Sequence, residues 1–144
     1  MWNNRPFIRA ATIHDIGKIY TKKEKENKPG EYSYYSHHNI GAYKILTNID
    51  LLGFNNYKDI LECLFYINYH MEPFFWNTLN SNGDKYILEK TKEKMKKRYG
   101  EEKFFNLLCF NIADRLASGN EPEANIEKSK ILKQKRTDKF DLFI

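Results

Sequence analysis

The spacing of apolar residues along this chain predicts an almost wholly helical protein. Apolar side chains recur at intervals of three and four residues through most of the sequence, which is the period of an amphipathic helix and not of a strand. Pro6 suits the first turn of a helix, Ser36 suits an N-cap, and Gly17 and Gly53 suit helix ends. The predicted helices cover residues 6–17, 37–52, 57–70, 84–99, 101–118 and, more weakly, 124–135.

The segments between these helices are polar or rich in turn residues. Residues 18–36 mix lysine and glutamate around a Pro-Gly turn, which predicts a loop or a weak hairpin. Three tyrosines near its end, Tyr32, Tyr34 and Tyr35, either form a short extended piece or place a ring against a site. Residues 74–83 are predicted to be a loop with an apolar beginning.

Length and composition fit one domain. The chain has 144 residues, of which 41% are hydrophobic and 15% aromatic, so it can bury a core of its own. We predict a single all-α domain over residues 1–144, with a core at 6–119 and a C-terminal appendage at 120–144, whose apolar end docks on the body or on a second subunit. The sequence does not indicate an oligomeric state.

The charge and the cysteines narrow the function classes. A formal net charge of +5 is compatible with an anionic partner, such as a nucleotide, RNA or a phosphorylated small molecule. Cys63 and Cys109 lie in apolar helical patterns, which indicates free thiols in a reducing compartment. No run reaches the roughly 7 to 15 apolar residues of a signal peptide or the roughly 18 of a membrane span. We therefore expect a cytoplasmic protein without a membrane partner.

The first candidate for chemistry is the pair His14-Asp15. Apolar residues precede both side chains at helical spacings, so both are predicted to leave the apolar face of the first helix. A carboxylate directed into a core is costly unless it is paired, protonated or bound to a metal, and a neighbouring histidine makes the metal plausible. The alternative is a capped or satisfied polar pair near a helix end.

Three further candidate metal ligands lie in similar contexts. His37 begins the second helix on its buried side. His38 lies about 100° away around the helix and is predicted either to be exposed or to contact the ligand side chains and not the metal itself. His70 closes the third helix, where a histidine can also simply interact with the helix dipole. Asp114 lies on the inner face of the fifth predicted helix.

In this order, these contexts resemble the HD-domain metal-dependent phosphohydrolases. The motifs are similar to the HDxGK, HxxxGA, histidine-after-helix and final-aspartate elements of that family, and they span residues 7–118. They look most similar to HD domains that accompany RNA-processing nucleotidyltransferases and to phage-type nucleotide phosphohydrolases. In this chain they read Ala11-Thr12-Ile13-His14-Asp15-Ile16-Gly17-Lys18, His37-His38-Asn39-Ile40-Gly41-Ala42, Asn68-Tyr69-His70-Met71 and Asn111-Ile112-Ala113-Asp114-Arg115.

The resemblance implies a metal site and a reaction. Asp15 would bridge two divalent ions, with His14 and Asp114 on one and His37 and His70 on the other. Nitrogen and oxygen ligands without thiolates suit one or two Mn, Fe, Co, Ni, Mg or Zn ions in an open site better than a closed structural zinc site. We expect a phosphomonoesterase or phosphodiesterase that acts on nucleotides or RNA ends.

Catalytic roles are expected for Asp15 and Lys18. Lys18 follows His14 by four residues, close enough for its charge to meet a substrate phosphate. The alternative is an ordinary lysine at a helix end.

One departure from the family pattern concerns the ligand count. The family normally has a further histidine on an upstream helix, and residues 1–13 contain none. The chain is then a fragment or a shortened reading frame, a partner supplies the ligand, or the site works with fewer ligands. An alternative function is a catalytically impaired nucleotide- or nucleic-acid-binding module. A third is a nucleic-acid adaptor that uses the lysine-rich helix at 84–99, although a solvated face is the ordinary explanation of that helix.

Overall fold

A computed structural model describes residues 5–118, and this part of the chain is mostly helical, as predicted. The elements in chain order are α1 (Arg5–Ile13), α2 (Lys18–Thr21), β1 (Lys23–Lys25), β2 (Lys28–Ser33), α3 (His37–Leu46), a 3-10 turn (Ile49–Leu52), α4 (Tyr57–Tyr69), α5 (Glu72–Ser81), α6 (Lys85–Tyr99) and α7 (Glu101–Ala117). The predicted helix at 124–135 and the rest of the C-terminal appendage lie outside the described residues. Within residues 5–118, every helix is too short or too polar to cross a lipid bilayer.

Helix α4 is the centre of the first of two compact units, residues 1–72. The Asn56 side chain caps α4 by accepting a hydrogen bond from the backbone N–H of Asp59 at 2.8 Å. Helices α1 and α3 both pack against α4, which explains why this helix carries so few charges. The core of this unit contains Ala10, Ala42, Ile45, Leu52, Ile60, Cys63, Phe65, Tyr66 and Ile67.

A two-stranded hairpin lies between α2 and α3. Strands β1 and β2 are antiparallel, with Glu24 opposite Tyr32 and an irregular register after Glu24. Both strands are mostly exposed, so the hairpin rests on turn residues and exposed ion pairs. The predicted weak hairpin is confirmed, but its turn lies at Glu26 and Asn27, whereas Pro29 and Gly30, which were predicted to form the turn, lie in β2.

The second compact unit begins at Pro73. Helices α6 and α7 pack together, and the Trp76 ring of α5 stacks on Phe104 of α7 with centroids 5.5 Å apart. On α6, Lys92 and Lys96 pair with Glu89 and Glu93 one helical turn earlier, at 3.5 and 3.8 Å. The single domain predicted for residues 1–144 stays a prediction.

Several predicted boundaries were wrong. Helix α1 ends at Ile13, and residues 14–17 form a turn. The helix predicted over 37–52 ends at Leu46 and is followed by the separate 3-10 turn. Ser36 precedes α3 in a left-handed conformation, and its side chain makes no capping hydrogen bond.

The loop predicted over residues 74–83 was also wrong, because residues 72–81 form helix α5. Pro73 lies in its first turn, where a missing N–H costs nothing. The apolar residues that follow include Trp76, which is only 3% exposed. Burial of this face stabilises a helix that the local sequence alone does not predict.

Gly17 and Gly41 allow two backbones to touch. A Cβ atom on Gly17 would lie 1.8 Å from the carbonyl oxygen of His37 and 2.7 Å from the backbone nitrogen of Gly41. Only a residue without a side chain fits there. This close approach holds the His14-Asp15 turn against the start of α3.

Candidate metal centre

Three histidines surround the carboxylate of Asp15 in the first unit. Asp15 Oδ1 lies 3.3 Å from His37 Nε2 and 3.9 Å from His70 Nε2, and Oδ2 lies 3.6 Å from His14 Nε2. The two nitrogens His37 Nε2 and His70 Nε2 are 3.2 Å apart. One ligand atom from each of His14, Asp15 and His70 lies within 4.8 Å of the others. Segments distant in sequence thus bring four of the five predicted ligands together.

Each of these imidazoles is anchored in the same way. The Nδ1 atom of each ring lies at hydrogen-bond distance from a carbonyl oxygen three residues earlier: His14 from Ala11 at 3.0 Å, His37 from Tyr34 at 2.8 Å and His70 from Ile67 at 2.8 Å. A carbonyl oxygen can only accept, so Nδ1 carries the hydrogen and donates it. The lone pair of a neutral ring then lies on Nε2, which is the atom directed at Asp15.

This arrangement fits a metal ion. His37 and His70 are buried, at 6% and 1% exposed, and their Nε2 atoms face each other. Two neutral nitrogens with lone pairs cannot hydrogen-bond to one another, so a proton or a cation is needed between them. Histidines that bind metals commonly donate their other N–H to a carbonyl group, as all three rings do here. The residues present therefore suit the divalent ion that the resemblance implies.

Asp15 remains an anion within this cluster. Burial raises the pKa of its carboxyl, but the neighbouring side chains of His37, Lys18 and His14 lower it by more, so this pKa lies well below its usual range. The side chain is still 39% exposed, more than its spacing from apolar residues predicted. The reason is that α1 ends at Ile13, so Asp15 lies in a turn and not on a helix face.

Lys18 borders the centre through this carboxylate. Its Nζ donates to Asp15 Oδ2 at 2.6 Å and lies 5.8 Å from the centre of the Tyr34 ring. Lys18 is the first residue of α2, so its position is explained by Asp15 and not by a helix C-terminus. Its catalytic role stays a prediction.

His38 and Asp114 lie in different surroundings. The His38 ring is half-buried, 5.6 Å from that of His37 and 6.0 Å from that of His70, and burial lowers its pKa. The His38 ring therefore lies beside the cluster, and its supporting role stays a prediction. Asp114 is a half-buried residue of α7 in the second unit, and its role as a ligand stays a prediction.

The backbone anchors are the feature that sequence analysis missed. The Tyr34 carbonyl accepts hydrogen bonds both from His37 Nδ1 and from the His37 backbone N–H, the latter at 3.2 Å. A signal was present in the sequence, because all three histidines lie at helix boundaries. There, carbonyl groups without helical partners are available.

The fold and the cluster define a helical protein whose histidine–aspartate cluster is suited to a metal ion. The chain belongs to the HD domain family, whose model matches residues 5–119. The resemblance seen in the motifs is thereby confirmed, and it places the chain among a superfamily that is in general one of metal-dependent phosphohydrolases. No curated protein and no solved structure shows significant similarity to the chain.

Proposed function

We propose that this protein is a divalent-metal-dependent phosphohydrolase that acts on nucleotides or RNA ends, as a phosphomonoesterase or a phosphodiesterase. The observation that carries the proposal is the convergence of three Nε2 atoms on Asp15, with two of them 3.2 Å apart in a buried position. A purely structural hydrogen-bond network would pair donors with acceptors. Here acceptors face acceptors, as in a site built for a cation.

The residues of the chain have separate tasks in this proposal. The anchored histidines present fixed lone pairs, and Asp15 supplies the negative charge that attracts a cation. These groups would hold a divalent ion, which would supply a bound water with a pKa lowered toward about 7 and a positive charge for a phosphoryl oxygen. Lys18 is 41% exposed, so its ammonium group can reach a substrate phosphate while it still neighbours Asp15 and can stabilise the charge that develops there.

An alternative is a nucleotide- or nucleic-acid-binding module with impaired turnover. In this alternative the centre still binds a metal and a phosphate but does not hydrolyse the ester.

Metal analysis combined with turnover tests the proposal. The protein is purified without chelator, its metal content is measured, and it is then stripped and reloaded separately with Mn, Fe, Co, Ni, Zn or Mg. Hydrolysis of p-nitrophenyl phosphate and of bis-p-nitrophenyl phosphate separates monoesterase from diesterase activity. We expect turnover that is lost on stripping and restored by at least one metal.

Two variants locate the activity. Asp15→Asn keeps the shape of the side chain and removes its charge, so metal content and turnover should both fall. Glu26→Gln changes a carboxylate that is 85% exposed in the hairpin and should change neither. A chain that binds no divalent metal under any condition would overturn the proposal, whereas full metal occupancy without turnover would establish the binding module.

A further inference from the structure

Two lysine–tyrosine pairs lie in the segment from α2 to α3, which also carries Lys18 and His37. Lys22 Nζ lies 3.9 Å from the centre of the Tyr32 ring, and Lys44 Nζ lies 4.9 Å from that of Tyr20. Both rings are substantially exposed, 42% for Tyr32 and 56% for Tyr20. We call these four residues the tyrosine–lysine surface. Its two pairs adjoin, because Tyr20 and Lys22 are separated by one residue.

The charge of this surface is not neutralised by the protein. The other lysines of the hairpin face glutamates: Lys25 and Lys28 pair with Glu31 at 2.8 and 3.5 Å, and Lys23 pairs with Glu26 at 4.0 Å. Among the described residues, Lys22 and Lys44 form no ion pair and lie against aromatic rings instead. Their positive charge is therefore available to an anionic partner.

The surface is continuous with the metal centre through Tyr34. This residue follows Tyr32 by two positions, its ring neighbours Lys18, and its carbonyl oxygen accepts the hydrogen of His37 Nδ1. Lys18 in turn donates to Asp15. A chain-like ligand that lies along the hairpin therefore leads from the exposed rings to the cluster of candidate ligands.

We infer that the tyrosine–lysine surface binds single-stranded oligonucleotides and positions one of their phosphates at the metal centre. Exposed rings offer faces on which unpaired bases stack, and lysines beside them contact the phosphates between those bases. A duplex hides its base faces, and an acidic peptide has no ring system that needs the tyrosines. The positioning of a phosphate at the metal centre rests on the proposed function, whereas the binding of single strands by the tyrosine–lysine surface does not.

Fluorescence anisotropy measures the binding. The full chain is titrated, with chelator present so that nothing is cleaved, against labelled oligouridylate and oligothymidylate of about 12 nucleotides, a length that single-strand sites cover. A duplex of the same length and a polyglutamate of similar charge serve as comparison ligands. We expect both single strands to bind more tightly than either of these, and the difference between them shows whether RNA or DNA is preferred.

Substitutions test the role of each residue type. Tyr32→Ala and Tyr20→Ala should each weaken single-strand binding about tenfold, whereas the corresponding phenylalanine variants should stay within about twofold, because stacking needs the ring and not the hydroxyl. Lys22→Ala and Lys44→Ala should each lower the slope of log affinity against log salt by about 0.7.

Matched controls come from the far end of α4. Tyr57 is 67% exposed and begins the helix that His70 ends, and Lys58 follows it. Tyr57→Ala and Lys58→Ala should bind like the unaltered chain. Circular dichroism melting of every variant confirms that it is folded.

Three results would overturn the inference. They are unchanged single-strand binding in both tyrosine-to-alanine variants, equal affinity for the duplex or the polyglutamate, and equal losses in the Tyr57 and Lys58 controls. Hydrolysis of bis-p-nitrophenyl phosphate distinguishes failure of this inference from failure of the proposed function. If the unaltered chain does not hydrolyse this ester, only the proposed function is contradicted. The tyrosine variants should still hydrolyse this small ester while they lose oligonucleotide binding.

Discussion

Replacing Gly17 by alanine tests whether the contact between two backbones builds the centre. Gly17 has a φ of −63° and a ψ of −19°, a conformation that alanine adopts without strain. The main physical effect of the added methyl group is therefore its collision with the start of α3, where it would lie 1.8 Å from the carbonyl oxygen of His37 and 2.7 Å from the Gly41 nitrogen. This collision falls on the residue that contributes Nε2 to the cluster.

The size of the effect follows from that distance. An ordinary contact needs about 3.4 Å, so the turn and the start of α3 must separate by about 1.6 Å. Overpacking of this kind costs about 3 kcal/mol or more, which corresponds to a fall in Tm of roughly 10 °C for a chain of this size. The 3.3 Å separation of His37 Nε2 from Asp15 Oδ1 should grow by a similar distance, so metal binding should weaken as well.

Two other glycines calibrate the experiment. A Cβ on Gly41 would meet the Gly17 nitrogen at 3.1 Å, so Gly41→Ala needs a shift of only a few tenths of an ångström and should cost about 1 kcal/mol. Gly83 has a φ of +80° and no atom within 4 Å of an added Cβ, so Gly83→Ala should cost about 1 kcal/mol through its conformation alone and leave metal content unchanged.

The three variants are compared by thermal unfolding, by metal analysis and by hydrolysis of a phosphate ester. The expected order of destabilisation places Gly17→Ala well beyond the other two, with loss of metal and turnover in that variant. The reasoning is refuted if Gly17→Ala melts within about 2 °C of the unaltered chain and keeps its metal.

Three more outcomes are expected. Asp114→Ala should lower metal content and turnover while Lys90→Ala on α6 changes neither, and full occupancy in the Asp114 variant would show that this carboxylate is structural. Removing the metal should lower the free energy of unfolding, by about 2.7 kcal/mol when the free ion had been at a hundred times its Kd. Calorimetry with and without added ion measures this difference. Burial raises the pKa of the Cys63 thiol to about 12 from 9.0, so the folded chain should resist alkylation of Cys63 at pH 8 by mass spectrometry. Because the unfolded thiol ionises first, stability should fall as pH rises from about 9 toward 12, and rapid alkylation of the folded chain would contradict this burial.

The amino-acid sequence by itself determined the helical class and the position of most helices. Apolar spacing acts over one or two turns, so it located α4 and α7 to within about a residue. Sequence alone also indicated that His37 begins a helix and that His70 ends one. These are local features, because they depend on neighbours along the chain.

Only the tertiary structure decided what those residues do together. The approach of His37 and His70 to Asp15, and of their two Nε2 atoms to each other, depends on how the segments around α1, α3 and α4 pack. Helix α5 likewise depends on burial of Trp76, since its local sequence reads as a loop. Packing distances depend on contacts between segments far apart in sequence, and no periodicity within one segment carries that information.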